Sequence, residues 1–172
     1  MNIKNTKKIF SLLLALILVI SLVPVAAQAA TAPTYARVTS FSNGKNYVIT
    51  VTSGRTIYAL THANNNVSAV QVTLTNGRLT SEVTDDMLWN YSGSKLSYQD
   101  NGKTYYLYSG ASNNPAGSST GITLTVSTTY ASNAVISGSK VQLGSFYLRY
   151  LNGTIKAHKT GGTAYGLQET FA

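Results

Sequence analysis

The side chains of this 172-residue chain that could do chemistry are few: twelve tyrosines, two histidines, five carboxylates and no cysteine. The lack of cysteine excludes disulfides, thiolate-held metal, thiol catalysis and a lipidated-cysteine anchor. A zinc site wants three or four ligands at set spacing, and nothing near His62 or His158 supplies them. Both histidines are expected as strand or loop surface residues, with no metal and no cofactor. The carboxylates are Glu82, Asp85, Asp86, Asp100 and Glu169. Glycoside hydrolysis needs two carboxylates flanking a cleft. Asp85 and Asp86 are the tempting pair, but neighbours on an extended chain point to opposite faces. They are expected as a polar loop ahead of Trp89. A serine triad needs a histidine partner, and only two are available. The chain is therefore read as non-enzymatic.

Tyrosine is the conspicuous type. It offers a ring face and a hydroxyl at modest entropic cost, a combination suited to stacking sugars. Tyr47, Tyr105 and Tyr147 are expected simply as strand formers. Tyr98 and Tyr108 flank the turn Asp100-Asn101-Gly102, and Tyr150 precedes the turn Asn152-Gly153. A sugar pocket needs an aromatic face with amide or carboxylate groups beside it. Tyr98, Asp100, Asn101, Tyr108 and Asn113 form the fullest such set; Tyr150 and Asn152 form a poorer one. Asn64, Asn65, Asn66 and Gln71 after Tyr58 form the first repeat's set; one real site is expected, in the second repeat, with the other two degenerate.

These residues need a scaffold. Turn signals recur roughly every 8–12 residues and no amphipathic helix is evident, so an all-β sandwich or barrel of about twelve short strands is expected. Met87–Tyr91, Lys95–Tyr98 and Thr104–Tyr108 read as three strands around the only tryptophan, Trp89. Ser92-Gly93-Ser94-Lys95-Leu96 returns as Ser137-Gly138-Ser139-Lys140-Val141. Tyr105-Tyr106-Leu107 returns as Phe146-Tyr147-Leu148, and more loosely as Tyr58-Ala59-Leu60. A period of roughly 40–50 residues marks an internally repeated architecture. Val67–Thr75 and Gly121–Thr128 each read as one strand. Ser109–Gly121 is the longest loop.

Residues 1–30 read as a signal peptide: Lys4, Lys7 and Lys8, then the apolar run Ile9–Val23, Pro24 and the small-residue site Ala27-Gln28-Ala29. Residues 31–40 read as a short leader in which Pro33 argues against a central strand, and 41–172 as the domain. The net charge of +8 falls to +5 without the three leader lysines. The basic residues are scattered, so no nucleic-acid partner and no stable membrane insertion after cleavage are expected.

The repeat, with its aromatic opener, glycine turn, alternating run, second glycine turn and Tyr-x-Leu strand, resembles the β-trefoil of ricin-type lectin modules and related bacterial surface proteins. Leu88–Leu107 fits their W…GxL…GkYL pattern. Ala134–Leu148 keeps the turn and strand with Ala134 in place of tryptophan, and Gln168-Glu169-Thr170-Phe171 is only loosely similar to their Gln-x-Trp. The resemblance implies a single β-trefoil of three pseudo-repeats, with an immunoglobulin-like sandwich as the alternative fold. It implies a secreted carbohydrate-binding or adhesion module, free or loosely held at the cell wall. Its partner would be a glycan, an envelope polysaccharide, or a host or bacterial surface protein. A β-trefoil protease inhibitor acting through Ser109–Gly121, or a structural matrix protein, are the other functional readings. N-terminal sequencing of the exported protein is expected to start near Ala30 or Thr31; an intact Met1 on a membrane-bound product contradicts the signal-peptide reading.

Overall fold

The computed structural model describes residues 33–110 and 121–170, so the signal-peptide reading and Asn113 lie outside the described residues. The described chain is all-β. In chain order the strands are β1 (Thr34–Val38), β2 (Lys45–Ser53), β3 (Thr56–Ala63), β4 (Asn66–Val72), β5 (Leu74–Thr75), β6 (Arg78–Leu79), β7 (Leu88–Ser92), β8 (Lys95–Asp100), β9 (Lys103–Tyr108), β10 (Ile122–Thr123), β11 (Thr125–Ser127), β12 (Ala134–Ser137), β13 (Lys140–Leu143), β14 (Phe146–Leu151), β15 (Thr154–His158) and β16 (Ala164–Thr170). They form two open antiparallel sheets. The larger runs β11-β9-β8-β7-β2-β16-β1-β6-β5, with the hairpin β3-β4 branching from β2; the smaller runs β10-β15-β14-β13-β12.

The turns follow from residues that accept positive φ. Asn76-Gly77, Asn101-Gly102 and Asn152-Gly153 all have φ between 49° and 84° at both central positions. Each pair is the two-residue loop of a hairpin, which matches the twist of the strands it joins. The Ser-Gly-Ser-Lys repeats are likewise the β7–β8 and β12–β13 turns.

β2 is the central strand. One edge pairs with β16 from Tyr47 to Val51. The opposite edge is shared: Lys45–Val48 pair with β7, and Thr50–Ser53 pair with β3. Tyr47 through Val51 have no exposed surface. Tyr47, Ile49 and Val51 enter a large core between the sheets, together with Trp89, Leu96, Leu107, Leu143, Leu148 and Ile155. Val48 enters a second core on the other face with Tyr35, Ala59, Leu79, Met87 and Leu167. β14 packs across β2, and β13 across β16, to close the large core.

Four local expectations change. Thr34–Val38, read as leader, is a strand flanked by β16 and β6; Pro33 stands just before it, where its missing N–H removes no ladder bond. Val67–Thr75 is two strands, because the Thr73 N–H is taken by Ser81 Oγ at 2.8 Å and its carbonyl by the Thr80 N–H at 2.9 Å. Gly121–Thr128 is also two strands, β10 in the smaller sheet and β11 in the larger. The chain changes sheets at Leu124, which stays buried because both sheets face one core. Met87, read as the first residue of a strand, instead closes a single 3-10 turn over Asp85–Met87, and the strand starts at Leu88.

Ile49→Ala and Leu167→Ala each remove a fully buried side chain, one from each core. Each is expected to cost about 2–5 kcal/mol, read as a lower urea midpoint with an unchanged m-value.

Candidate functional site

The larger sheet shows an open polar face on β7, β8, β9 and β11. Along these strands Trp89, Leu96, Tyr98, Leu107 and Val126 point to the large core, so their alternating neighbours point away from it. Register then sets one line of side chains directly across five strands. Asn46 opposes Asn90, Asn90 opposes Ser97, Ser97 opposes Tyr106, and Tyr106 opposes Ser127. At about 4.8 Å per strand the line is roughly 19 Å long. The Asn90 Nδ2 donates to Asn46 Oδ1 at 3.0 Å, which fixes the orientation of both amides. Gln99 and Thr104 oppose each other on the same face, one rung along. Lys95 Nζ lies 5.9 Å from the Tyr106 ring centroid. Tyr108 stacks on Tyr130 at 5.6 Å between centroids, and Tyr130 is 62% exposed.

A cleft of about 470 Å³ opens at one end of this line, lined by Asn46, His62, Asp85, Leu88, Asn90, Ser97, Tyr98 and Gln99. It forms where β3 and β7, which share one edge of β2, diverge. Two side chains span the divergence. Trp89 Nε1–H donates to the Leu60 carbonyl at 3.0 Å. His62 Nε2 lies 3.0 Å from the Leu88 carbonyl. A carbonyl only accepts, so the proton sits on Nε2 and Nδ1 is left as an acceptor. The imidazole stacks on Tyr98 at 3.7 Å and 7°, and Tyr98 stacks on Tyr105 at 5.3 Å. Burial holds the His62 pKa below its ordinary value, against the opposing pull of the Leu88 hydrogen bond, Asp86 and Asp100.

The expected site residues do not converge. Tyr98 is buried with its ring faces occupied by His62 and Tyr105, and its hydroxyl donates to Asn65 Oδ1 at 3.0 Å. It therefore offers no ring face to a sugar, although it lines the cleft. Asp100 pairs across the hairpin with Lys103, and Asn101 serves the turn with φ 49°. Tyr108 projects to the opposite face of the sheet from Tyr98, because the two occupy opposite parities across the β8–β9 register. Tyr150 lies in the smaller sheet, stacked on Tyr58 at 3.8 Å, and Asn152 serves the next turn with φ 52°. Among the expected residues that are described, only Tyr108 belongs to the open face.

Sequence reasoning passed over Asn46, Asn90, Ser97, Gln99, Tyr106 and His62. For the strand residues the signal was present: they alternate with the apolar positions of the same strands. His62 carried no such signal, since its stacking on Tyr98 is a tertiary contact between β3 and β8, strands that pair with different neighbours and that no local pattern brings together. The string Gly117-Ser118-Ser119-Thr120-Gly121 has the Gly-x-Ser-x-Gly form, and all but its last residue lie outside the described residues. Comparison with protein-family models, curated proteins and solved structures finds no significant match.

The depressed His62 pKa has a signed consequence. The unfolded imidazole titrates near 6.5 and the folded one lower. As pH falls below 6.5 the unfolded chain takes up the proton first, so this contribution to stability is present above that value and lost toward the folded pKa. Melting temperature is expected to fall between pH 7.5 and pH 5, conditions chosen to span about one unit on either side of that transition. His62→Phe should flatten the slope; an unchanged slope in a folded variant contradicts this role.

Proposed function

We propose that this chain is a non-catalytic carbohydrate-binding module that takes a glycan on the open face of β7, β8, β9 and β11. One observation carries the reading: the cross-strand line Asn46–Asn90–Ser97–Tyr106–Ser127. It runs two amides, a hydroxyl, a tyrosine ring and a second hydroxyl, groups that both donate and accept; Ser97 is itself buried, so Asn46, Asn90, Tyr106 and Ser127 are the members open to a ligand. Sugar hydroxyls have the same mixed character, and the apolar faces of pyranose rings suit tyrosine. Lys95 and the Tyr108–Tyr130 pair border the line. A shallow face of this kind binds weakly, in the millimolar range or about −4 kcal/mol.

The wider reading is a secreted module acting at the cell surface, its charge of +5 outside the first thirty residues favouring association with an anionic envelope. A β-trefoil arrangement is the finer reading of the fold. It is supported by the sequence repeat and by the pairing of the first and last described strands, β1 and β16. The layout in two sheets favours the sandwich alternative.

Titration with mixtures of neutral oligosaccharides, followed by NMR, is the test. Shifts are expected at Asn90, Ser97 and Tyr106, with binding lost in Tyr106→Ala and retained in Asp100→Ala. The reverse pattern, or shifts confined to Asp100–Gly102, would move the site to the hairpin and overturn the assignment.

A further inference from the structure

The outer face of the smaller sheet has a different chemistry. Leu148, Ile155 and Ala157 point into the core with at most 1% exposure, so Arg149 and Lys156 point outward. The register sets these two cations directly opposite each other on neighbouring strands. Like charges in that position are destabilising. Lys140, on the adjoining strand β13, also points outward, since Val141 and Leu143 are buried, and Lys159 follows directly on the end of β15. No carboxylate belongs to this sheet: between Asp100 and Glu169 the sequence contains none. The arrangement is also built rather than loose. Arg149 Nη1 donates to Thr160 Oγ1 at 3.2 Å. Gly162 lies against the Arg149 stem, where an added Cβ would stand 3.5 Å from Cγ. An opposed cation pair held in place without a counter-charge is a local conflict, and such conflicts concentrate at functional sites.

We infer that this face binds an acidic polysaccharide, whose repeated anionic groups supply the missing counter-charge to Arg149, Lys156, Lys140 and Lys159. The occupant is a glycan rather than a nucleic acid because the face lacks a stacking platform for bases. The aromatic rings one rung along this face, Tyr147 and the directly opposed His158, are both engaged: Gly161 crowds the Tyr147 stem, where an added Cβ would stand 2.7 Å from its Cβ, Lys140 Nζ stands 5.2 Å from its ring centroid, and His158 Nδ1 accepts from the Thr160 N–H at 3.0 Å. This surface is on the other sheet from the proposed neutral-sugar face and does not rest on that reading.

The test uses the exported chain with polygalacturonate, a linear polyuronate, against neutral dextran and single-stranded DNA of equal charge. Polygalacturonate is expected to bind at low salt, and to be released at about 0.5 M NaCl, where the screening length is only a few ångströms. Lys156→Gln and Arg149→Gln should weaken that binding about tenfold or more while raising the melting temperature, since each removes the like-charge opposition. Tyr106→Ala should leave it unchanged. No binding, equal binding to dextran, tighter binding to DNA, or variants that bind as before or melt lower would each overturn the assignment.

Discussion

The fold depends on one five-residue run, Tyr47–Val51, that is buried on both faces, paired along one edge throughout and along the other at every residue but Ile49. A strand in that position has no solvent-facing side, so its sequence must be acceptable to two cores at once. Two members carry a hydroxyl: Thr50 donates to the Tyr165 carbonyl at 3.4 Å, and Tyr47 accepts from the Ser42 N–H at 2.7 Å. With no disulfide to restrain the unfolded chain, stability rests on this burial and on the ladders it organises.

The same strand creates the cleft. One edge of β2 is too long for a single partner, so β7 takes its first half and β3 its second. Two strands sharing one edge must part, and the gap exposes backbone carbonyls that would otherwise lack partners. Trp89 and His62 answer this with their ring nitrogens, on Leu60 and Leu88. The aromatic cluster is therefore first a solution to a hydrogen-bonding problem. That is why the ring faces of Tyr98 are spent internally, leaving the opposite face of the same strands as the open one.

The turns and much of the strand pattern were legible in the sequence, because period-two alternation and Asn-Gly pairs are local signals. The position of Leu60, Leu107 and Leu148 in the core also follows from the repeated Tyr-x-Leu pattern. What was not legible depended on register. Tyr98 and Tyr108 looked equivalent as flanks of a hairpin, yet they occupy opposite parities and so opposite faces. Asn101 and Asn152 looked like ligands, yet their φ values of 49° and 52° show the backbone requirement that selects asparagine there. Nor could the sequence reveal that the alternating run Ile122–Leu124–Val126 crosses between sheets, since a chain moving between two walls of one core keeps its alternation.

Loops were the natural place to look for function, since they tolerate change on a rigid scaffold. Here the short loops are fully committed to turning the chain, and two or three residues that must hold positive φ leave little freedom for recognition. The smaller sheet and the β7, β8, β9 and β11 part of the larger one, by contrast, have one side free. An outward side chain on a strand is held at a fixed spacing by the ladder beneath it and oriented by the core residues on either side, a precision that suits binding groups. The two sheets use that freedom differently. All five carboxylates belong to the larger sheet or its connections, leaving it a mixed and nearly neutral outer face, while the smaller sheet carries cations alone. With charged residues only 10% of the chain, such segregation gives each face a distinct chemistry without altering the single core that both sheets share.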